Sequence, residues 1–342
     1  MCYVGQRGPR RWTTFALAVG AILFAACGGG ADSSDQITLY SGRSESLIGP
    51  LISQFETDTG IDVRVRYGDS ASLAAQILEE GDRSPADVFL AQDAGALGAV
   101  EDAGLLQPLP NDILNRVDPS FRSGAGAWVG VSGRARVLVY STDQLTEADL
   151  PSSIFDLVQP EWRGRVGWAP TNGSFQAFVT ALRETIGDDR TADWLRAMID
   201  NDVQEYTSNT PIVQAVGDGD LDIGLVNHYY LWRFLAEDNN FPAANLYTDP
   251  GQAGALVNVA GAGLIASAGD NPAALRFIDY LLEPSAQRYF GAETNEYPLI
   301  DGIDPNPGIP SLTTLNPPAL SLTTLTDLEG TLDLLRDVGA LP

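Results

Sequence analysis

The chain has 342 residues, 44% hydrophobic and 19% charged, a globular composition with enough material for about two domains. Acidic residues outnumber basic ones 45 to 20, so we expect no nucleic-acid partner, because phosphate neutralisation requires a basic surface. Every basic residue is an arginine, and a chain without lysine has no Schiff-base chemistry and no Walker-type phosphate loop.

The first 26 residues have the pattern of a secretory leader. Three arginines precede an apolar run over 15–26, which is too short to span a bilayer comfortably. The run ends in FAAC, which resembles a bacterial lipobox and predicts lipidation of Cys27. We therefore expect a leader over 1–26, a flexible tether over 27–35, and attachment to the outer face of the cell membrane through the lipid alone. An uncleaved apolar anchor is the alternative.

Strands and helices alternate along the first hundred residues of the predicted mature chain. Apolar spacing predicts strands near 37–40, 61–67 and 85–90, and helices around 47–55, 70–78 and 94–103. This alternation implies βαβ units around a mostly parallel sheet, in which ligands bind beyond the carboxyl ends of the strands. Residues 41–44 and 91–93 fall at such ends.

The same alternation resumes in the second half and predicts a second α/β domain. We expect strands near 137–140, 165–168 and 221–226, and helices after the second and third of these strands. Residues 301–318 are rich in proline and predict an irregular segment before a last helix near 325–338.

Seven blocks resemble, in order, the ferric-ion-binding proteins, which are the solute receptors of bacterial iron ABC importers. The blocks are LYSG (39–42), RSPADVF (83–89), SGRARV (132–137), GWAPT (167–171), NHYY (227–230), DPG (249–251) and EYPL (296–299). The resemblance implies an α/β periplasmic-binding-protein fold of type II, with two lobes and a hinge between them. The implied lobes are 36–134 plus about 260–300, and 135–259 plus about 301–342.

Tyr229 and Tyr230 lie where this family has its two iron-ligating tyrosines. Ferric iron is a hard trivalent cation that favours anionic oxygen, and a bound cation stabilises a phenolate. His228 precedes the pair, but the family has asparagine at this place, so we expect a supporting or surface residue rather than a ligand.

The family completes its site from the first lobe with a histidine and a glutamate, and this chain departs at both positions. Ser44 replaces the histidine and is followed by Glu45, whereas Gln92 replaces the glutamate and is followed by Asp93. Either the adjacent carboxylates reach the metal, or water and an anion fill these positions. Asp93 is the stronger candidate, and its alternative role is a helix N-cap.

The family often binds an anion such as phosphate or carbonate together with the iron. The start of the helix after residue 171 offers backbone N–H groups to an anion, and two further asparagines match family positions that contact it. The candidate anion-binding residues are Asn172, Gly173, Ser174, Asn209 and Asn227. Arg134 and Arg136 match a family block, and we expect at least one of them to form a structural ion pair.

The resemblance implies a monomeric receptor that delivers ferric iron to an ABC permease and is not an enzyme. The same architecture captures other small solutes, so a thiamine, polyamine or oxyanion receptor is the first alternative. A carboxylate-based extracellular hydrolase is the second, although no spacing of acidic residues selects a catalytic pair.

Overall fold

The computed structural model of the protein describes residues 1–2 and 36–342. Cys27, the tether 27–35 and nearly all of the predicted leader lie outside the described residues. No helix in the described part of the chain is long and apolar enough to cross a membrane.

Ten strands occur in the described residues and are numbered in chain order. They are β1 (Gln36–Ser41), β2 (Asp62–Tyr67), β3 (Val88–Ala91), β4 (Leu106–Gln107), β5 (Trp128–Ser141), β6 (Val166–Trp168), β7 (Gln204–Glu205), β8 (Ile223–Asn227), β9 (Ala243–Leu246) and β10 (Val257–Ile265).

Twelve α-helices occur in the same residues. They are α1 (Glu45–Thr59), α2 (Ser70–Glu80), α3 (Ala94–Asp102), α4 (Asn111–Leu114), α5 (Gly173–Ile186), α6 (Asp188–Asp200), α7 (Asn209–Gly217), α8 (Tyr229–Glu237), α9 (Pro272–Leu281), α10 (Pro284–Ala292), α11 (Leu312–Leu315) and α12 (Leu328–Asp337). The mixed α/β class agrees with the sequence prediction.

The strands follow the order β2-β1-β3-β10-β5-β8-β6-β7, with β4 added to β10 and β9 added to β5. The predicted parallel pairing is confirmed at both ends, where β1 pairs with β2 and β3, and β6 pairs with β7 and β8. It is wrong in the middle, because β5 and β10 run antiparallel to all their neighbours.

Strand β5 belongs to two groups of strands. Its first part, residues 128–135, pairs with β10, which continues to β3, β1 and β2; we call these the first strand group. Its second part, residues 136–141, pairs with β8 and β9, which with β6 and β7 form the second strand group. The changeover therefore falls between Ala135 and Arg136.

The sequence prediction missed residues 128–136 of β5 and all of β10, two segments with several glycine, alanine or serine residues. Small residues are needed there because the backbones approach closely. A Cβ atom on Gly261 of β10 would lie 2.9 Å from the carbonyl oxygen of Val129 in β5. These strands are buried throughout, so they lack the alternation of polar and apolar residues that identifies a half-buried strand.

Helix starts in the first strand group place carboxylates at the ends of strands. Helix α2 follows β2 and is capped by Asp69, whose Oδ1 accepts the N–H groups of Ala71 and Ser72. Helix α3 follows β3 and is capped by Asp93, whose Oδ1 accepts the N–H of Ala96. Both aspartates therefore lie at the edge of the sheet where α/β folds bind ligands.

Candidate functional site

A cavity of about 160 Å³ lies at the carboxyl ends of strands from both groups. Many of the predicted site residues line it, namely Gln92, Asp93, Asn172, Gly173, Ser174, Asn227, Tyr229 and Tyr230. Residues that the sequence did not select as ligands also line it, among them Asp69, Ser70, Arg134, Arg136 and Asn258.

Tyr229 and Tyr230 enter the cavity from the first turn of α8, directly after β8. Their rings stack with centroids 4.3 Å apart and planes 27° from parallel, so the two phenol groups face the cavity together. Tyr229 is buried and Tyr230 is half-buried. Burial raises the pKa of Tyr229 well above its usual value of 10, and the neighbouring Tyr230 raises it further. A cation at this point would have to displace a phenolic proton.

His228 is buried and uses both ring nitrogens. The Ala135 N–H donates to Nδ1 at 3.1 Å, so the proton lies on Nε2, which is 2.8 Å from the carbonyl oxygen of Asn295. Burial lowers the pKa of His228 to about 4. The ring therefore has no lone pair left for a metal. Of the two roles expected from the sequence, His228 is a buried supporting residue and not a surface residue.

Gln92 and Asp93 reach the cavity from the loop after β3. Burial raises the pKa of Asp93, and the nearby negative charge of Asp69 raises it further. The hydrogen bond from the Ala96 N–H and the positive charge of Arg134 act in the opposite direction. The Oε1 atom of Gln92 is buried and has no hydrogen-bond partner within the described residues. Asp93 is also the α3 N-cap that the sequence offered as its alternative role.

Ser44 and Glu45, the other two candidate ligands, do not line the cavity and are exposed. The neighbouring Arg43 turns inward instead, where its Nη2 lies 2.5 Å from Glu296 Oε2 and both side chains are buried. Glu45 faces a separate groove between α1 and β2, beside Tyr67.

The predicted anion-binding residues form a hydrogen-bonded group at the start of α5. Asn172 Oδ1 accepts the N–H of Ser174 at 3.1 Å and the Nδ2 of Asn209 at 3.1 Å. Asn209 Oδ1 in turn accepts the N–H of Asn227 at 3.3 Å. Asn209 is therefore one step behind the cavity wall and fixes the residues that line it. The Ser174 N–H is engaged by the Asn172 cap, while Gly173 is exposed.

Two buried guanidinium groups lie beside this helix start. Arg134 donates through Nη2 to the carbonyl oxygen of Gln92, and its Nε has no partner in the described part of the chain. Arg136 donates to the carbonyl oxygen of Leu225, but its Nε and Nη1 are without partners in the same residues. Burial lowers the pKa of Arg136 to about 9, and an anion beside it would oppose that shift.

The expected structural ion pair of Arg134 or Arg136 does not occur among the described residues, since the salt bridges there involve other arginines. Arg136 instead lies over the rings of Phe175 and Phe178, 5.5 and 5.1 Å from their centroids. Aromatic support holds the guanidinium in place while leaving its N–H groups for a ligand.

Within the described residues, no three His, Cys, Asp or Glu side chains are grouped as a metal site of the usual kind. The cavity instead offers phenol, carboxylate, amide and guanidinium groups. A hard cation bound here would depend on the two tyrosines, and an anion would bind to the arginines and the start of α5.

Comparison with known proteins gives a consistent set of relatives. The family described as bacterial extracellular solute-binding protein matches residues 83–318. The chain is similar to the Fe(3+)-binding periplasmic protein of Serratia marcescens, with 34% identity over 93% of this chain and 95% of the relative. It is also similar to iron uptake protein A1 of a Synechocystis strain, with 31% identity over 87% and 88% of the two chains.

Solved structures give the same picture. The iron-bound HitA structure from Pseudomonas aeruginosa superposes with a TM-score of 0.83 and 34% identity, over 89% of this chain and 99% of that one. A Trichodesmium protein in complex with iron and citrate superposes with a TM-score of 0.78 and 30% identity, over 89% and 99% of the two chains. The fold therefore matches that of these two-lobed periplasmic proteins.

Proposed function

Since this chain belongs to the family of bacterial extracellular solute-binding proteins, we propose that it captures ferric iron outside the cytoplasm and delivers it to the permease of an ABC importer. The family comprises binding proteins of transport rather than enzymes, and the named relatives bind or take up iron. The extracytoplasmic location follows from the family, and attachment through a lipid on Cys27 is part of the proposal.

The observation that carries the proposal is the stacked pair Tyr229 and Tyr230 at the wall of a polar cavity. Two adjacent phenol groups supply two hard anionic oxygens once the cation has displaced their protons. The neutral, doubly hydrogen-bonded His228 fixes the backbone just before them. Asp93 extends the oxygen set from the first strand group, with Gln92 as a neutral neighbour.

An anion bound with the iron would take the other side of the cavity. Two nitrogen atoms of Arg136 have no hydrogen-bond partner in the described part of the chain, and Gly173 at the start of α5 is exposed; both observations support this assignment. Asn209 holds Asn172 and Asn227 in place around it. Phosphate and carbonate, which the resemblance implies, are of a size that a cavity of about 160 Å³ admits together with one metal ion.

Capture would proceed by closure of two lobes, 36–134 plus about 260–300 and 135–259 plus about 301–342. Iron docks first on Tyr229 and Tyr230 of the second lobe with the anion, and the loop of Gln92 and Asp93 then closes from the first lobe. Iron stabilises the closed form because it binds this form more tightly than the open one. A permease that recognises the closed form would therefore bind the iron-loaded protein. We expect the receptor to act as a monomer.

The visible spectrum tests the proposal. We would strip metal from the purified full chain, titrate it with ferric citrate, and measure the phenolate-to-iron charge-transfer band. A saturable band at one iron per chain is expected for the natural protein and is lost in the Tyr229→Phe/Tyr230→Phe double variant. The exposed Tyr67→Phe variant is the matched control and keeps the band, because the ring of Tyr67 lines a separate groove and not the cavity.

Absence of the band in the natural protein would refute ferric binding by this pair. Thiamine, polyamines and oxyanions would then be tested on the same preparation by calorimetry. A band that persists in the double variant would assign the iron to other tyrosines.

A further inference from the structure

Asp69 lines the same cavity as the tyrosine pair, from the loop between β2 and α2. It was not among the residues that the sequence suggested for the site. Resting on the proposed function, we infer that Asp69 is a direct ligand of the ferric ion. With Asp93 it would form a carboxylate pair from the first strand group, opposite the phenolates of Tyr229 and Tyr230.

The loops that carry the two carboxylates are bound to each other. The N–H of Gln92 donates to Ser70 Oγ at 2.8 Å, which joins the loop after β3 to the first residue of α2. Ser70 follows Asp69 and Gln92 precedes Asp93, so this hydrogen bond holds the two carboxylates on neighbouring loops. The β1–α1 loop packs against them, since a Cβ on Gly42 would lie 2.0 Å from Ser70 Oγ.

The Asp69 side chain has an oxygen available for a metal. Its Oδ1 accepts the N–H groups of Ala71 and Ser72 at 2.9 and 3.2 Å, while Oδ2 accepts no hydrogen bond from any described residue. Asp69 is exposed at the rim, so its carboxylate is hydrated until the cation arrives. The fixed Oδ1 and the unused Oδ2 together make a preorganised single-oxygen ligand.

The ligands predicted from the sequence leave ferric iron short of anionic oxygen donors from the first strand group. Ferric iron takes anionic oxygen by preference, yet Gln92 is neutral and both Ser44 and Glu45 lie outside the cavity. Asp69 and Asp93 are the carboxylates that line it. Two phenolates and two carboxylates would exceed the charge of one ferric ion. Two buried guanidinium groups, with N–H groups that have no partner among the described residues, lie beside them and would balance that excess.

The test uses Asp69→Asn in the full chain, with Asp62→Asn as the matched control. Asparagine caps a helix as well as aspartate does, so the variant keeps α2 and loses only the charge. Asp62 is an exposed carboxylate on the neighbouring strand β2 and does not line the cavity. Ferric citrate would be titrated into each protein, with competition by a colourless chelator to obtain the affinity.

We expect Asp69→Asn to weaken iron binding by at least about tenfold, a lower limit set by the effect of losing even indirect support of a metal ligand. The charge-transfer band should persist but move to longer wavelength, because loss of an anionic donor makes the ferric ion a better electron acceptor. Asp62→Asn should change neither quantity.

An unchanged band and affinity in Asp69→Asn, or a loss no larger than in Asp62→Asn, would overturn the inference while leaving tyrosine binding intact. Absence of the band in the natural protein would overturn the proposed function, and this inference with it.

Discussion

Lowering the pH should destabilise this protein through its single histidine. In the folded chain His228 Nδ1 accepts the N–H of Ala135, and protonation would set two N–H groups against each other in a buried place. Burial accordingly lowers the pKa of His228 from 6.5 to about 4. A tenfold change in proton affinity corresponds to about 1.4 kcal/mol, so the linked stability is on the order of 3 kcal/mol.

The sign follows from which state binds the proton. As the pH falls through 6.5 the unfolded chain protonates its imidazole, whereas the folded chain keeps His228 neutral until about pH 4. The contribution is therefore fully present above pH 6.5 and is lost progressively as the pH falls toward 4.

Two measurements check this prediction. Because the chain has one histidine, the imidazole resonances in an NMR titration of the metal-free protein report His228 alone. Urea unfolding at pH 7 and pH 4.5 should show a smaller loss of stability in His228→Asn than in the natural protein. An imidazole that titrates near 6.5 in the folded state, or equal losses in the two proteins, would refute the reasoning.

Three further predictions follow from the packing around the cavity. Glu296→Gln should lower the free energy of unfolding in urea by about 3–5 kcal/mol, because it leaves Arg43 charged and buried without its partner; a loss below 1 kcal/mol would contradict this. Gly42→Ala should weaken iron binding, because its Cβ would displace Ser70 Oγ. Chelator competition checks this, with Glu45→Ala, at an exposed position outside the cavity, as the control. Iron affinity should rise with pH between 6 and 8, because binding releases the proton of Tyr229, whose pKa is raised by burial. Calorimetry in buffers of different ionisation enthalpy measures the proton release and checks this prediction.

Local sequence patterns were sufficient for the elements that have one polar face or a clear boundary. Helix α1, for example, ends at Gly60, whose φ of 73° is the left-handed conformation that glycine favours. The patterns failed for the first part of β5, residues 128–136, and for β10, which are buried and rich in small residues. Their identity depends on close contact with each other, which is a tertiary property that no local period records.

The residues of the candidate site also fall into those that could be predicted from the sequence and those that could not. The Gln92–Asp93 loop could be located because it lies directly after a strand, where α/β sheets bind ligands. The tyrosine pair was located by its resemblance to the family's NHYY block. Ser44 and Glu45 were expected from the resemblance, but both are exposed, and the inward-facing residue of this loop is Arg43. Its buried partner is Glu296, far along the chain, so local sequence could not indicate it. The position of Asp69 at the cavity was missed. An aspartate directly before a helix is fully explained as an N-cap, so the sequence gives no reason to expect a second role.

The changeover within β5 has a mechanical consequence for the protein. Ala135, the last residue paired with β10, bonds to His228 through both of its backbone groups. Its N–H donates to the ring Nδ1 of His228, and its carbonyl oxygen accepts the His228 backbone N–H, directly before Tyr229 in the chain. Rotation of one strand group against the other must bend a single continuous strand beside that contact. Arg134 and Arg136 stand on either side of the bend, so their separation changes with it. In the proposed closure these two arginines lie beside the bend, so a small change in its angle would change the spacing of the groups that face the ligand.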